Sequence, residues 1–231
     1  FSGYGGAAFA LKKANVPFEC VGYSEIDKWA IKCYDQNHSN VKNFGDCTKI
    51  NPEEIPDFDL LTAGFPCQTF SIAGKREGFN DTRGTLFREI IRIAEYKKPK
   101  YMLLENVKGL INHDGGRTFR VIIEELRRIG YSVCYKVLNS KHYGIPQNRE
   151  RIFIVCKYGN WKFMEFNFPK KIPLDLVIKD ILELNVDKKY YLSEHQISKI
   201  KSRNRYGDHI YNDIPKINNC LVKNQTDIPI I

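Results

Sequence analysis

The feature that most constrains the fold is the alternation of short apolar runs with helix-period segments between Ala7 and Gly130. The run Leu60-Leu61-Thr62-Ala63 is typical of a buried strand, and a helix-period segment begins near Thr85. Similar patterns predict strands over 18–23 and 101–104 and helices over 7–14, 28–37 and 119–126. Strands that alternate with helices in this way predict a doubly wound, mostly parallel α/β sheet.

A cysteine lies on the loop that follows the predicted strand 60–63. This loop begins with Gly64-Phe65-Pro66-Cys67-Gln68 and continues through Ser71, Gly74, Lys75 and Arg76. Open α/β sheets bind ligands outside the carboxyl ends of their strands, and a thiolate is a strong nucleophile. Cys67 is therefore a candidate nucleophile. Taken alone, it also fits an inert buried thiol.

Acidic residues follow other predicted strands in the same way. Glu25 follows 18–23, Asp46 follows a third short strand, and Glu105 follows 101–104. Glu25 comes about 20 residues after a glycine turn at 3–6, the spacing at which an acid accepts hydrogen bonds from a ribose diol. Each acid also has a structural alternative: Glu25 as a complement to a helix dipole, Asp46 as a turn residue and Glu105 as a cap.

The net charge and the cysteine spacing of the chain limit the classes of protein to which it can belong. Lys and Arg total 36 against 27 Asp and Glu, a net charge of +9, which favours a polyanionic partner but also fits a basic enzyme. The seven cysteines fall singly, without the spacing of a metal site, which favours reduced thiols. No apolar run reaches membrane length. We therefore expect a cytoplasmic protein without a structural metal.

Several motifs together resemble those of the C5-cytosine DNA methyltransferases of bacterial restriction-modification systems. They occur in the family order between Phe1 and Cys156, and they are Phe1-x-Gly3-x-Gly5-Gly6, Pro66-Cys67-Gln68, Glu105-Asn106-Val107 and Gln147-x-Arg149-x-Arg151. The resemblance implies a Rossmann-like methyltransferase fold and the cofactor S-adenosyl-L-methionine. It also implies methyl transfer to carbon 5 of a cytosine flipped out of double-stranded DNA, within a short specific site. A bacterial protein of this kind would lie at the nucleoid.

The resemblance further implies a role for each matching residue. Cys67 would add to carbon 6 of the cytosine, Glu105 would act as general acid at N3, and Arg149 or Arg151 would stabilise charge near O2. The implied cofactor-binding residues are Phe1, Gly3, Gly5, Gly6, Glu25, Ile26, Asp46, Cys47, Pro66 and Leu86. The residues implied to contact DNA or to form the target loop are Gln68, Ser71, Gly74, Lys75 and Arg76.

The resemblance also divides the chain. Residues 1–157 are expected to form the catalytic domain without its first strand, and residues 158–231 a connection and the start of a small, mostly absent recognition domain. Because the chain opens at Phe1 inside a loop and shows no final Gly-Asn-rich motif before Ile231, we expect a piece of a longer polypeptide. The explanations are an excised domain, an enzyme whose second chain supplies recognition, or a decayed enzyme. The intact Cys67, Glu105 and Arg151 argue against decay; without a second chain we expect a monomer.

Two other functions stay open at this stage. One is the related branch of the family that acts on tRNA, although the run from Phe70 to Lys75 resembles the DNA enzymes. The other is a nucleic-acid-binding subunit that is inactive without a partner chain. Binding without transfer, and transfer on addition of the partner, would distinguish such a subunit.

Overall fold

The computed structural model describes residues 1–66, 86–159 and 166–181, and beyond these only 187, 191–196 and 198. The chain divides into two compact units. The first contains Phe1–Val137 and Arg151–Phe168, and the second contains Leu138–Glu150 and the described residues from Pro169 onward. The first unit carries the α-helices of the described residues and most of the sheet.

The α-helices with described bounds are α1 Gly6–Lys13, α2 Lys28–Asn37, α3 Leu86–Lys97 and α4 Arg117–Arg128. The bounds of α2 are those that the sequence predicts. This helix starts at Lys28 because the Asp27 carboxylate accepts hydrogen bonds from the backbone N–H groups of Trp29 at 2.9 Å and Ala30 at 2.8 Å. Such a cap satisfies N–H groups that have no partner inside the helix.

The helix faces predicted to be apolar are buried. The core residues that α3 and α4 contribute are Phe87, Ile90, Ile91, Ala94, Phe119, Ile122, Ile123 and Leu126. They recur at intervals of three and four residues, which places them on one side of each helix. Burial of these side chains is what holds both helices on the sheet, since apolar contact supplies most of the stability of a helix in a protein.

The sheet has four described strands: β1 Leu60–Gly64, β2 Tyr101–Val107, β3 Tyr131–Asn139 and β4 Glu150–Tyr158. Their order across the sheet is β1-β2-β4-β3. Strands β1 and β2 are parallel, with Gly64 opposite Glu105, and β4 runs antiparallel to β2, with Arg151 opposite Val107. The predicted α/β class is confirmed, and the described sheet, predicted to be mostly parallel, is mixed.

The main core lies against β2 and β4, the two central strands. Met102 and Leu104 of β2 and Ile152, Ile154 and Cys156 of β4 are almost fully buried. They alternate along their strands, so one face of the sheet supports α3 and α4. The intervening residues of β2, including Glu105, are less buried. This alternation keeps the Glu105 carboxylate out of the apolar core.

The predicted strand 18–23 differs from the structure. It contributes a single parallel bridge between Tyr23 and Asn43 and no named strand, and the predicted third strand before Asp46 is reduced to the same bridge. A strand forms only where its backbone groups pair along a neighbour, and the described residues pair this segment at one position. Farther along, a 3-10 turn forms at Ile178–Ile181.

Among the described residues, no helix combines the length and the apolar character needed to cross a bilayer.

Candidate active site

A carboxylate and a guanidinium meet at the carboxyl end of β1. The Glu105 side chain lies beside Gly64, the last residue of β1, where an added Cβ would be 3.4 Å from Glu105 Oε2. The other oxygen, Oε1, forms an ion pair with Arg151 Nε at 2.9 Å. Both side chains are partly accessible, with 34% of Glu105 and 23% of Arg151 exposed. The pair is therefore reachable by a ligand at this edge of the sheet.

The chain leaves this edge through Phe65 and Pro66 toward Cys67. Phe65 is buried and its ring centroid lies 5.4 Å from that of Phe87 on α3. Cys67 itself lies outside the described residues, as do Gln68, Ser71, Gly74, Lys75 and Arg76. In sequence, the candidate nucleophile follows Gly64 by three positions. The described geometry therefore fixes the strand end from which the Cys67 loop starts.

Asn106 holds that strand end, and the sequence analysis assigned it no role. Its Nδ2 donates to the Phe65 carbonyl at 2.8 Å, and its Oδ1 accepts the Val107 N–H at 2.8 Å. Asn106 is 2% exposed, so both amide groups are satisfied inside the protein, as buried polar groups require. The sequence did contain a signal for its burial. Asn106 follows Met102 and Leu104 at the same spacing of two residues in β2, which places it on the buried face of the strand.

We expect Asn106→Ala to lower both stability and the rate of methyl transfer. The substitution removes the hydrogen bond that Asn106 donates to the Phe65 carbonyl, which costs about 0.5–1.5 kcal/mol, and it weakens the attachment of the backbone that leads to Cys67. Thermal unfolding and single-turnover transfer measure the two effects. Asn37→Ala is the matched control, because Asn37 Nδ2 also donates to a backbone carbonyl, that of Cys33, but on exposed α2. Equal losses in both variants would contradict a specific role.

A glycine turn precedes α1 and lies on a stack of rings. Gly5 has φ +85°, which favours glycine, and an added Cβ would lie 2.4 Å from His38 Nε2 and 2.9 Å from Tyr34. The Tyr34 ring stacks on Tyr23 at 3.7 Å between centroids and contacts His38 at 4.8 Å. Gly5 is therefore required both by its backbone conformation and by the rings beneath it. Gly6 begins α1.

Glu25 is bound to this turn. Its Oε2 accepts the Gly3 N–H at 3.0 Å, and its Oε1 accepts the N–H groups of Ile26 at 2.9 Å and Asp27 at 3.1 Å. Burial alone would raise the pKa of Glu25, but the hydrogen bonds from Gly3 and Asp27 favour the carboxylate, and the net result is a lowered pKa. Phe1 lies in the same place, with its nitrogen bonded to the Ser24 carbonyl and its side chain against the core.

Asn43 and Ser24 join Glu25 to the Gly45-Asp46 step. Asn43 Oδ1 accepts the N–H groups of Gly45 at 2.9 Å and Glu25 at 3.3 Å, and its Nδ2 donates to the Glu25 carbonyl at 3.2 Å. Ser24 Oγ donates to the Gly45 carbonyl at 2.7 Å. Sequence reasoning missed both residues. The turn at Gly3, the Glu25 carboxylate and the Gly45-Asp46 step are thus one connected site.

The remaining predicted cofactor residues lie around this site or at the β1 end. Asp46 caps a 3-10 turn at Cys47–Lys49, because its Oδ1 accepts from the Thr48 N–H at 3.0 Å and hydroxyl at 2.8 Å. Those bonds lower the pKa of Asp46, and burial raises the pKa of the Cys47 thiol. Ile26 is 72% exposed. Pro66 follows β1 directly, and Leu86 begins α3.

Arg149 and Arg151 belong to different units of the chain. Arg151 belongs to the first unit and contacts Glu105, whereas Arg149 belongs to the second unit. There its N–H donates to Asn139 Oδ1 at 3.2 Å and its carbonyl accepts the Ser140 N–H at 3.1 Å. Of the two arginines that the sequence left open, Arg151 is the one that lies beside the candidate acid.

The described residues hold no cluster of three or more His, Cys, Asp or Glu side chains that would bind a metal ion.

A comparison with protein families decides the membership of the chain. The model of the family described as "C-5 cytosine-specific DNA methylase" matches residues 1–229. The chain belongs to this family. The arrangement of Gly64, Glu105 and Arg151 is thus the β1 edge of a cytosine-specific DNA methylase domain, and the family resemblance found in the sequence is confirmed.

Curated relatives of this chain include Type II methyltransferases of bacteria and orphan methyltransferases of phages. It is 46% identical to the Type II methyltransferase M.HhaI of Haemophilus parahaemolyticus over 79% of this chain and 55% of that protein. It is 47% identical to M.NlaX of Neisseria lactamica, covering 84% and 61%. The orphan methyltransferase M.Rho11sI of Bacillus phage rho11s is 44% identical, covering 87% and 46%. The chain spans about half the length of the curated relatives it matches.

Solved structures support the fold of this chain. The crystal structure of a Spodoptera frugiperda DNMT2 mutant superposes with a TM-score of 0.70 at 24% identity, covering 87% of this chain and 63% of that one. The crystal structure of S. pombe Dnmt2 methyltransferase superposes with a TM-score of 0.66 at 26% identity, covering 87% of this chain and 65% of that one. At these identities the superpositions bear on the fold, which is that of the DNMT2 structures.

Proposed function

We propose that this protein transfers a methyl group from S-adenosyl-L-methionine to carbon 5 of a cytosine flipped out of duplex DNA, through a covalent adduct with Cys67. The observation that carries the proposal is the Glu105–Arg151 pair beside Gly64, at the strand end from which the Cys67 loop starts. Family membership supplies the reaction type. The Type II relatives support a short specific site and a restriction-modification system.

The residues of this edge have complementary parts in the reaction. Carbon 5 of cytosine is a poor nucleophile until a group adds to carbon 6, and the Cys67 thiolate forms that bond. The electron pair of the 5,6 double bond moves toward N3, where Glu105 supplies a proton, and the Arg151 guanidinium stabilises charge near O2. Methyl transfer to carbon 5 would leave S-adenosylhomocysteine. A base then removes the proton at carbon 5, the thiolate leaves carbon 6 as the 5,6 double bond re-forms, and N3 returns its proton to Glu105. Cys67 is thereby regenerated.

The connected site around Gly3, Glu25 and Asp46 fits S-adenosyl-L-methionine. Glu25 is an acceptor for the ribose hydroxyls, exposed Ile26 offers an apolar surface to the adenine, and both bonds to Asp46 use Oδ1, so Oδ2 accepts none from the described residues. The positive φ of Gly3 and Gly5 lets backbone approach a ligand closely. When bound, this cofactor supplies a methyl group on a sulfonium. Glu25 and Asp46 would hold its ribose and its adenine amino group.

We expect Glu25→Ala to weaken cofactor binding at least tenfold, because a hydrogen bond to a charged group contributes about 1.5–3 kcal/mol, while the rate of the bound complex changes little. Calorimetry with S-adenosylhomocysteine measures the affinity. The Glu25 pKa is lowered in the folded state. The contribution of the Glu25 carboxylate to cofactor affinity is therefore complete above the ordinary carboxyl pKa, and it is lost only as pH falls through the lower folded pKa. Affinity should therefore stay constant from neutral pH down to about pH 5.

Glu19→Ala provides the control, because Glu19 is an exposed acid in the segment 18–23 that leads to Glu25. Equal affinities in the unaltered chain and Glu25→Ala would refute the ribose assignment.

Duplex DNA is the substrate we propose for the +9 chain. The target carbon is inaccessible in a stacked duplex, so the base must be swung out. Gln68, Ser71, Gly74, Lys75 and Arg76 follow Cys67 in sequence and would contact the displaced base and the phosphates. We further propose a cytoplasmic, nucleoid-associated bacterial protein, monomeric unless a second chain supplies the recognition region.

Transfer of a labelled methyl group from S-adenosyl-L-methionine tests the proposal. Unmethylated duplex DNA and unmodified tRNA are assayed in parallel, with Cys67→Ala as the blank. Transfer to DNA that is lost in the variant supports the reaction and its nucleophile. Transfer to tRNA alone, or transfer that survives in Cys67→Ala, would overturn it.

A further inference from the structure

Arg92 makes hydrogen bonds in three directions from the middle of α3. Its Nη1 donates to the Ile50 carbonyl at 2.7 Å and its Nη2 to the Cys47 carbonyl at 3.0 Å. Its Nε donates to Glu89 Oε2 at 2.7 Å. Two of these bonds span more than forty residues of sequence, so Arg92 ties α3 to a distant turn and is oriented for it by Glu89, one turn earlier on the helix.

The carbonyls of Cys47 and Ile50 flank the turn that follows Asp46, the residue proposed to bind the adenine amino group. Cys47 begins the 3-10 turn at Cys47–Lys49, and Ile50 follows its end. Asp46 holds the amino end of the same turn through Thr48. Arg92 therefore fixes the carbonyl side of a turn whose N–H side is fixed by Asp46. Beneath it, Ile50, Ile55 and Ile93 form a small apolar cluster of their own.

Arg92 also fixes the turn relative to Leu86. Leu86 begins α3, and Arg92 is six residues farther along, about 9 Å on the helix axis. Leu86 and the Asp46-Cys47 step are both predicted to contact the cofactor, yet they belong to different segments. The guanidinium of Arg92 is a direct polar link between those segments.

We propose that Arg92 is a positioning residue for the adenine end of the cofactor site, which rests on the proposed function. It holds Asp46 and Cys47 where the Asp46 carboxylate accepts a hydrogen bond from the adenine amino group. Lysine does not replace it, because a single ammonium on a flexible stem lacks the fixed fork that reaches two carbonyls and a carboxylate together.

The test compares two ligands on the full chain by calorimetry. S-adenosylhomocysteine carries the adenine amino group, and S-inosylhomocysteine carries an oxygen in its place. The unaltered chain should prefer the adenosyl compound at least tenfold, since the Asp46 carboxylate accepts from an amino group and repels an oxygen. Arg92→Lys should bind the adenosyl compound about tenfold more weakly and prefer it by less than about threefold.

Two further variants separate positioning from folding. Glu89→Gln leaves both carbonyl contacts in place but removes the charged partner of Arg92, and it should shift the preference in the same direction by a smaller factor. Arg128→Lys is the matched control, because Arg128 likewise bridges two partners on neighbouring helices, Glu95 at 2.9 Å and Glu125 at 3.0 Å, away from the turn. Its ligand preference should equal that of the unaltered chain.

The outcomes distinguish this inference from the proposed function. An Arg92→Lys variant that keeps the unaltered preference while the unaltered chain binds both ligands overturns the role of Arg92 alone. An unaltered chain that binds without preference overturns it as well, because Asp46 then does not recognise the amino group. An unaltered chain that binds neither compound overturns the proposed cofactor site, and this inference with it.

Discussion

Replacing Cys67 by serine is expected to reduce methyl transfer below detection while cofactor binding is retained. An alcohol ionises far less than a thiol near neutral pH, and the oxygen nucleophile leaves carbon 6 less readily, so both the addition and the elimination are slowed. Transfer of labelled methyl groups to duplex DNA measures the loss. Calorimetry with S-adenosylhomocysteine shows that the cofactor site is intact.

The other thiols of the described residues are poor substitutes for Cys67. Burial raises the pKa of the thiols of Cys47, Cys134 and Cys156, which reduces their thiolate fraction. Cys20 lies 3.5 Å from the Tyr34 hydroxyl, in the ring stack below Gly5. The environment of these cysteines thus favours structural roles, and residual transfer through one of them is not expected.

A trapping experiment distinguishes loss of the nucleophile from loss of folding. DNA in which the target cytosine carries fluorine at carbon 5 cannot lose a proton there, so the adduct persists as a stable protein–DNA complex. The unaltered chain should form this complex and Cys67→Ser should not. Cys33→Ser, on α2 and away from the site, is the control and should behave as the unaltered chain. Complex formation by Cys67→Ser would remove Cys67 from the mechanism.

Local signals in the sequence were enough to predict the helices. The cap at Asp27 and the i, i+3, i+4 spacing of apolar residues in α3 and α4 depend only on neighbours in the chain. The strand predicted over 18–23 failed for the opposite reason. Its alternation is local, but a strand requires pairing along a neighbour, and the described residues pair it only at Tyr23.

The residues of the candidate site likewise differ in whether local sequence signals or long-range contacts indicate them. Glu105 became a candidate because a carboxylate at the carboxyl end of a strand is visible in the sequence. Its contact with Arg151 was not predictable, because that contact depends on the antiparallel register that places Arg151 opposite Val107. Asn106 and Arg92 act on carbonyls about forty residues away in sequence, those of Phe65, Cys47 and Ile50. No local pattern encodes such contacts.

Glu105→Gln is expected to slow the chemical step about 100-fold or more, the usual contribution of a positioned general acid, with little change in cofactor affinity. Glutamine has nearly the same shape, and its amide oxygen can still contact Arg151 Nε, which lies 2.9 Å from Glu105 Oε1. The substitution therefore keeps the Arg151 contact and removes the proton that N3 of the cytosine would receive. Single-turnover kinetics at saturating DNA and cofactor measure the chemical step directly.

The matched control for this variant is Glu95→Gln. Glu95 pairs with Arg128 at the same 2.9 Å, but about half of each side chain is exposed and the pair joins α3 to α4 away from the β1 edge. Exposed ion pairs contribute little to stability, so this variant should transfer methyl groups at the rate of the unaltered chain. If Glu105→Gln instead loses cofactor affinity while its single-turnover rate stays within a few-fold of the unaltered chain, Glu105 belongs to the cofactor site. The Glu105 carboxylate beside Gly64 would then have a structural role at the β1 edge, and another residue would be the general acid.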